Sequence, residues 1–216
     1  MKYKQGGFTL VEIAIVLVII GLLLGGVLKG QELINSAKVK NFANDFRTIP
    51  LFIYGYQDKF RALPGDDPNP TAHVGSSAVK ATTSGQTQGN ATIEGNYNST
   101  TATDESALFW QHVRLANLAA GPTSTSDANY YPTNADGGRI GIQSAAPITG
   151  MTGSYFVCSE GIAGRFAKQL DTTMDDGNTA AGSMRVATGP YSGTALSAVA
   201  TASVVDSTTY IICVAF

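Results

Sequence analysis

Two histidines, two cysteines and one tryptophan leave this 216-residue chain little stock for metal or nucleophile chemistry. No HExxH, no GxSxG and no glycine-rich phosphate loop occurs. Ser159-Glu160 and His112 form no recognisable triad, and no nucleophile has a base beside it in sequence. His112 reads instead as a hydrogen-bonded histidine at the edge of a helix. Charge is scarce too, at 14% of residues with a formal net charge of −2. It is also uneven: residues 1–62 carry eight Lys/Arg against four Asp/Glu, and residues 63–216 carry six against twelve. An acidic second part lacks the basic face that nucleic acid requires, so no nucleic-acid partner is expected.

What the chain has in excess is one long apolar run. From Phe8 to Leu28 only Thr9, Glu12 and three glycines interrupt Leu, Ile, Val and Ala. As a helix that run spans a hydrocarbon core of roughly 30 Å. The short segment before it, Met1-Lys2-Tyr3-Lys4-Gln5-Gly6-Gly7, is basic, which holds that end in the cytoplasm and places the rest outside. The run is too long for a secretory signal peptide, and Gly25-Gly26-Val27-Leu28-Lys29-Gly30 is a poor cleavage site. Glu12 is the anomaly. A carboxylate inside a membrane helix costs a few kcal/mol and is read first as functional.

Gly7-Phe8-Thr9-Leu10-Val11-Glu12 with the run behind it resembles the N-terminal signature of type IV prepilins and of type II secretion pseudopilins. The resemblance implies cleavage by a prepilin peptidase after Gly7 and methylation of the new amine on Phe8. It also assigns Glu12 a partner, the N-terminal amine of a neighbouring subunit in a helical filament. The implied partners are other pilin or pseudopilin subunits, the peptidase, an inner-membrane assembly platform and, before assembly, the membrane itself. The implied product is not an enzyme but a structural subunit, a major or minor pilin. A pseudopilin is the alternative, and a single-span anchored adhesin or enzyme stands behind it. Its place would be the inner membrane with the head in the periplasm, then the pilus or pseudopilus.

The helix is expected to continue beyond the membrane. Val39, Phe42, Phe46, Ile49, Ile53, Tyr56 and Phe60 recur at spacings of three and four, a heptad-like stripe. Residues 8–28 then form a membrane or filament-core half and residues 29–62 an amphipathic stalk, with residues 1–7 as a cleaved leader. Leu63-Pro64-Gly65 is expected to stop the helix. Gly21, Gly25, Gly26 and Gly30 weaken it, each by about 1 kcal/mol relative to alanine, and Pro50 is expected to kink it.

Residues 63–216 make the head. Asp66 to Asp104 reads as a long surface loop with a short strand at Ala91–Glu94, matching in position the variable loop of pilin-like proteins. Asp104 caps a helix from Glu105 to Ala120, with Leu108, Phe109, His112, Leu115, Ala116 and Ala119 inward and Trp110 off that face. Residues 139–216 alternate β-prone segments at 139–143, 155–158, 184–188, 198–205 and 209–216, with a short helix at about 161–170. The class is α+β, a pilin-like long helix against a small antiparallel sheet.

Cys158 and Cys213 both fall in the exported part, where two cysteines read as one disulfide; two buried thiols are the alternative. Asp171-Thr172-Thr173-Met174-Asp175-Asp176-Gly177-Asn178 is the one dense set of oxygen ligands. Asp171, Asp175, Asp176 and Asn178 suit calcium in kind, and some pseudopilins carry calcium in a late loop. The spacing departs from an EF-hand and no distal Glu follows, so a plain turn is the first expectation and no other cofactor is expected.

Overall fold

The apolar stripe of the stalk and the β-prone segments of the last third meet in one core. The computed structural model describes residues 9–216. The chain divides into two units, Met1–Lys38 and Val39–Phe216. Helix α1 is Leu10–Phe60, and it continues through Gly21, Gly25, Gly26 and Gly30 and through Pro50. Pro50 supplies no N–H to the helical ladder, a loss the surrounding helix absorbs without ending.

Within the second unit, α1 buries Val39, Phe42, Ala43, Phe46, Ile49, Pro50, Ile53 and Tyr56, the stripe read from the sequence. That row joins Phe109, Trp110 and Val113 of helix α3 (Glu105–Leu115), Phe166 and Leu170 of helix α4 (Gly164–Met174), and one face of the sheet. Phe42 and Phe166 meet with ring centroids 6.0 Å apart. Each such side chain contributes roughly 1.5–3 kcal/mol through burial, so the stripe is a principal source of head stability.

The sheet has four antiparallel strands in the order β1-β2-β4-β3: Ile140–Gln143, Phe156–Ala163, Thr209–Ala215 and Met184–Ala187 for β1, β2, β4 and β3. Its two faces enter different clusters. Val157, Ile162, Tyr210, Ile212 and Val214 face the helices. Phe156, Cys158, Ile211 and Cys213 face the other way, against Tyr97, Ile148, Met151 and Tyr191 from the loops. With both faces covered, β4 reads as an unbroken apolar run, Tyr210-Ile211-Ile212-Cys213-Val214. Cys158 and Cys213 are directly opposed across β2 and β4 and are joined as a disulfide, on the face turned from α1.

Several boundaries differ from the sequence expectation. Helix α1 ends at Phe60, before Leu63-Pro64-Gly65, because Arg61 already turns left-handed at φ 56°. Helix α3 ends at Leu115 rather than Ala120. Asn117 takes φ 59°, Leu118 N–H reaches the Val113 carbonyl and Asn117 N–H the Arg114 carbonyl, which is a Schellman ending with Asn in the usual glycine place. Trp110, expected off the inward face, is buried, because α3 is covered nearly all round. Helix α4 starts three residues later than 161, since β2 runs on through Ala163. The segment 198–205 is no strand: it makes one bridge, Ala198 to Ala187, and then a 3-10 turn at Thr201–Ser203.

The segment from Asp66 to Asp104 is largely irregular, as expected, but it is anchored to the core as a layer. It contains a short helix, α2 (Pro70–Val74), and sends Ile93 and Tyr97 into the core. The strand expected at 91–94 is reduced to a reciprocal pair: Ile93 N–H donates to Ser144 Oγ, and Ser144 N–H to the Ile93 carbonyl. The layer lies so close to β1 that a Cβ on Gly141 would collide with the Tyr97 carbonyl. Asp104 occupies the N-cap position of α3 but its side chain does not cap. It accepts from Ser99 Oγ and Gln86 Nε2, and Gln86 Oε1 accepts the Glu105 N–H instead.

Asp66 and Glu105 tie this layer down. Asp66 accepts from the N–H groups of Gly89, Asn90 and Ala91. Glu105 Oε2 accepts from Glu94 N–H at 2.8 Å, while its buried Oε1 has no partner. Burial, outweighing that hydrogen bond and reinforced by Asp66, Glu94 and Asp104, pushes the Glu105 carboxyl up from 4.5 to about 7. The unfolded chain therefore ionises Glu105 while the folded head still holds it protonated. Stability should fall as pH rises from about 4.5 to about 7, and burial acts in the same direction at Asp45 and Asp171, each pushed up to about 6. Glu105→Gln keeps the acceptor and removes the charge, so denaturant unfolding across that window should show a smaller loss for the variant than for the parent chain. A parallel pH profile would contradict this assignment. Removing the disulfide by Cys158→Ala with Cys213→Ala should cost about 4 kcal/mol in the chain-entropy view, read from the same unfolding curves.

Candidate functional site

The first unit presents an apolar helix with its side chains uncovered. Leu10 is 86% exposed, and Leu22, Leu23 and Leu24 are each more than half exposed. Helix α1 is long and apolar enough, by length and composition, to cross a membrane. A Cβ added at Gly21, Gly25, Gly26 or Gly30 would meet nothing, so none of these glycines is required by the chain's own packing. Lys29 and Glu32 pair at 2.7 Å where the apolar stretch ends, both exposed.

Gly7 and Phe8 lie outside the described residues. Glu12 lies within them, and its carboxylate closes the start of α1. Thr9 N–H and Thr9 Oγ1 both donate to Glu12 Oε2 at 2.8 Å, and Glu12 N–H donates back to Thr9 Oγ1 at 3.3 Å. This is a capping box, with Thr9 as N-cap and Glu12 three residues on, and it satisfies backbone donors that the first helical turn leaves open. The T-x-x-E spacing is itself a sequence signature of such a helix start. Glu12 Oε1 takes no hydrogen bond among the described residues.

In the head, Asp171, Asp175 and Asp176 bring ligand oxygens within 4.8 Å of one another, and Asn178 Oδ1 accepts from Ala180 N–H at 3.3 Å. Much of their capacity goes to folding the turn. Asp171 Oδ1 accepts from Gly177 N–H at 2.8 Å, Asp175 Oδ2 from Met184 N–H at 2.8 Å, and Asp176 Oδ1 from Asn178 N–H at 2.8 Å. Asp171 Oδ2 is buried without a partner. Burial, eased by the Gly177 N–H and reinforced by Asp175 and Asp176, pushes the Asp171 carboxyl up to about 6. Three carboxylates are oxygen ligands of the kind calcium takes, and carbonyl, amide or water oxygens would have to complete its six to eight.

His112 is no edge residue. It is fully buried, with Gly65 N–H donating to Nδ1 at 2.9 Å and Nε2–H donating to the Val79 carbonyl at 2.8 Å. Both ring nitrogens are engaged, so it braces the joint between α3 and the layer before it. Ser159 is likewise committed, accepting from Asn134 Nδ2 at 2.8 Å, and Glu160 Oε1 accepts from Tyr97 Oη at 2.9 Å. Asn134 Nδ2 also donates to the Glu160 carbonyl at 2.7 Å, so Ser159 and Glu160 share a partner, while His112 bonds to Gly65 and Val79.

No curated protein and no solved structure matches the chain. Residues 2–28 match the prokaryotic N-terminal methylation motif. That stretch covers the basic N-terminus, the Gly7-Phe8 junction, the Thr9–Glu12 capping box and the apolar turns that follow, which are consistent with membrane anchoring. At its N-terminus the chain carries the prepilin-type signature.

Proposed function

We propose that this chain is a structural subunit of a type IV pilus-like filament, cut after Gly7 and assembled through its N-terminal helix. The observation that carries the reading is an uncovered apolar helix whose first 19 residues, Leu10 to Leu28, hold Glu12 as their one charge, in the segment that matches the methylation motif. Such a surface is stable in lipid or against other helices and not in water. Transfer from one apolar surrounding to the other leaves the burial of Leu, Ile and Val nearly unchanged. The charge is what differs. Oε2 of Glu12 is used within its own helix and Oε1 is open to a cation from a neighbour. The amine of a processed Phe8 on an adjacent subunit supplies that cation, and two ions costly in lipid are less costly as a pair.

Head size and composition favour a pilus over a secretion pseudopilus. Residues 63–216 carry an elaborate anchored layer and are rich in Thr and Gly. The head's interior is occupied by structural hydrogen bonds at His112 and Ser159, which supports a scaffold role.

Two measurements test the reading. Mass spectrometry of the protein from envelope fractions should find a mature chain starting at N-methylated Phe8. A retained Met1, or a start near Gly30, would overturn the processing step. Gln serves as well as Glu at the third helical position of a capping box, so Glu12→Gln removes charge while leaving the helix start closed. Expression, cleavage and head folding should be unchanged, and incorporation into filaments beside parent subunits should drop about tenfold or more. Thr9→Ala breaks the box and keeps the charge, so it should assemble better than Glu12→Gln. Equal incorporation of Glu12→Gln and parent subunits would remove the pairing role.

A further inference from the structure

The chain's two histidines are held in opposite ways. His112 is buried with both nitrogens spent. His73, in α2, is oriented but not used up. Its Nδ1 lies 2.6 Å from Oδ2 of Asp67, and the same oxygen accepts from Tyr56 Oη at 2.7 Å. Asp67 Oδ1 accepts from Asn69 N–H at 2.8 Å. Asp67 and Tyr56 are fully buried. Burial raises the Asp67 carboxyl, but the donors Tyr56, His73 and Asn69 and the nearby imidazole outweigh it and hold it below the usual range. Asp67 is thus a carboxylate, which makes Nδ1 of His73 the donating nitrogen. Phe60 stacks on the imidazole with centroids 5.3 Å apart, fixing the ring's plane.

A buried carboxylate that orients an imidazole leaves Nε2 as the working nitrogen. Here Nε2 has no hydrogen-bond partner among the described residues, and the side chain is 29% exposed. It lines an open cleft of about 270 Å³ with Gln57, Arg61, Leu63, Asp66 and Gly89. Arg61 stands at the cleft in a left-handed backbone conformation, φ 56°, a geometry that non-glycine residues adopt at some cost and that clusters at functional sites. Neither its guanidinium nor the Gln57 amide has a side-chain hydrogen bond among the described residues. The one acid on the wall, Asp66, has both oxygens filled by backbone N–H groups of Gly89, Asn90 and Ala91. Among the described residues that line the cleft, the polar side chains with no hydrogen-bond partner are thus Arg61, Gln57 and, at Nε2, His73.

We propose that this cleft is a carboxylate-binding subsite, in which Arg61 receives the ligand's two oxygens as a fork beside the imidazole of His73. Asp67 accepts from Nδ1 and fixes the ring, and Tyr56 donates to Asp67. Guanidinium and carboxylate match as planar, two-point partners, which a lysine in the same place would not. The carboxylate comes either from an acidic sugar or from an acidic amino-acid side chain.

The test uses the full-length chain in detergent micelles, with ¹⁵N-labelled imidazoles followed by NMR at fixed pH. His112 serves as the internal control. Galacturonate and N-acetylglutamate amide are the two acidic probes, and galactose is the neutral one. A saturable shift at His73 with either acid, absent at His112 and with galactose, is the expected result, and the tighter acid identifies the source. Arg61→Gln, at an exposed position, should weaken that binding about tenfold or more while leaving the His112 signals in place. Failure of both acids to saturate at tens of millimolar, an equal response to galactose, or unchanged affinity in Arg61→Gln would each overturn the proposal.

Discussion

Everything in the head depends on one stripe of α1 having a partner surface of matching length. Val39 to Tyr56 buries side chains at helical spacing, and the cluster most of them join draws on α3, α4 and the sheet. A row of this kind cannot be satisfied by the sheet alone, because four short strands span only part of it. Helices α3 and α4 fill the remainder, which is why a small sheet comes with two further helices. The turns before and after those helices then follow from where they must lie.

The sheet, in turn, has a second face that α1 never reaches. Left open, Phe156, Cys158, Ile211 and Cys213 would form an apolar patch on the surface of the head. Loop residues Tyr97, Ile148, Met151 and Tyr191 cover it, and the disulfide lies beneath them. The cross-link therefore stabilises the side of the sheet with the least regular structure. Regular elements hold one face, and a covalent bond with anchored loops holds the other. The edges are treated similarly: β3 is met by Val199 N–H at Val186 and by Ala198 at Ala187, and β1 by the Pro132 carbonyl at Ile140.

Periodicity made α1, its buried stripe, four of the strands and the existence of two later helices legible, because each is a repeating local pattern with a visible boundary. Where the signal was non-local it failed. Trp110 looked outward on a helical wheel, and only a helix covered on nearly all sides buries it. The Asp66–Asp104 segment is poor in apolar residues, so composition marked it as a loop. Its order comes from a few buried acids, Asp66, Asp67 and Glu105, which satisfy backbone N–H groups, and from two apolar anchors, Ile93 and Tyr97. Buried acids of this kind leave no periodic trace. The His73–Asp67–Tyr56 network was invisible for the same reason, since its members come from α1, a turn and a five-residue helix.

Glu12 shows how one residue can answer two constraints whose signals overlap in sequence. A helix beginning in an apolar setting leaves its first N–H groups without water, and a capping box is the local remedy. Glutamine would serve that need without charge, so capping by itself does not account for a carboxylate in a 21-residue apolar run. The extra cost of the anion calls for a second use, and the geometry leaves room for one because Thr9 occupies only Oε2. A carboxylate held by Thr9 is already oriented, so an approaching amine meets an acceptor with little side-chain freedom left to lose. The cap and the proposed pairing are thus cooperative: the bond within the helix prepares the acceptor for the one between helices.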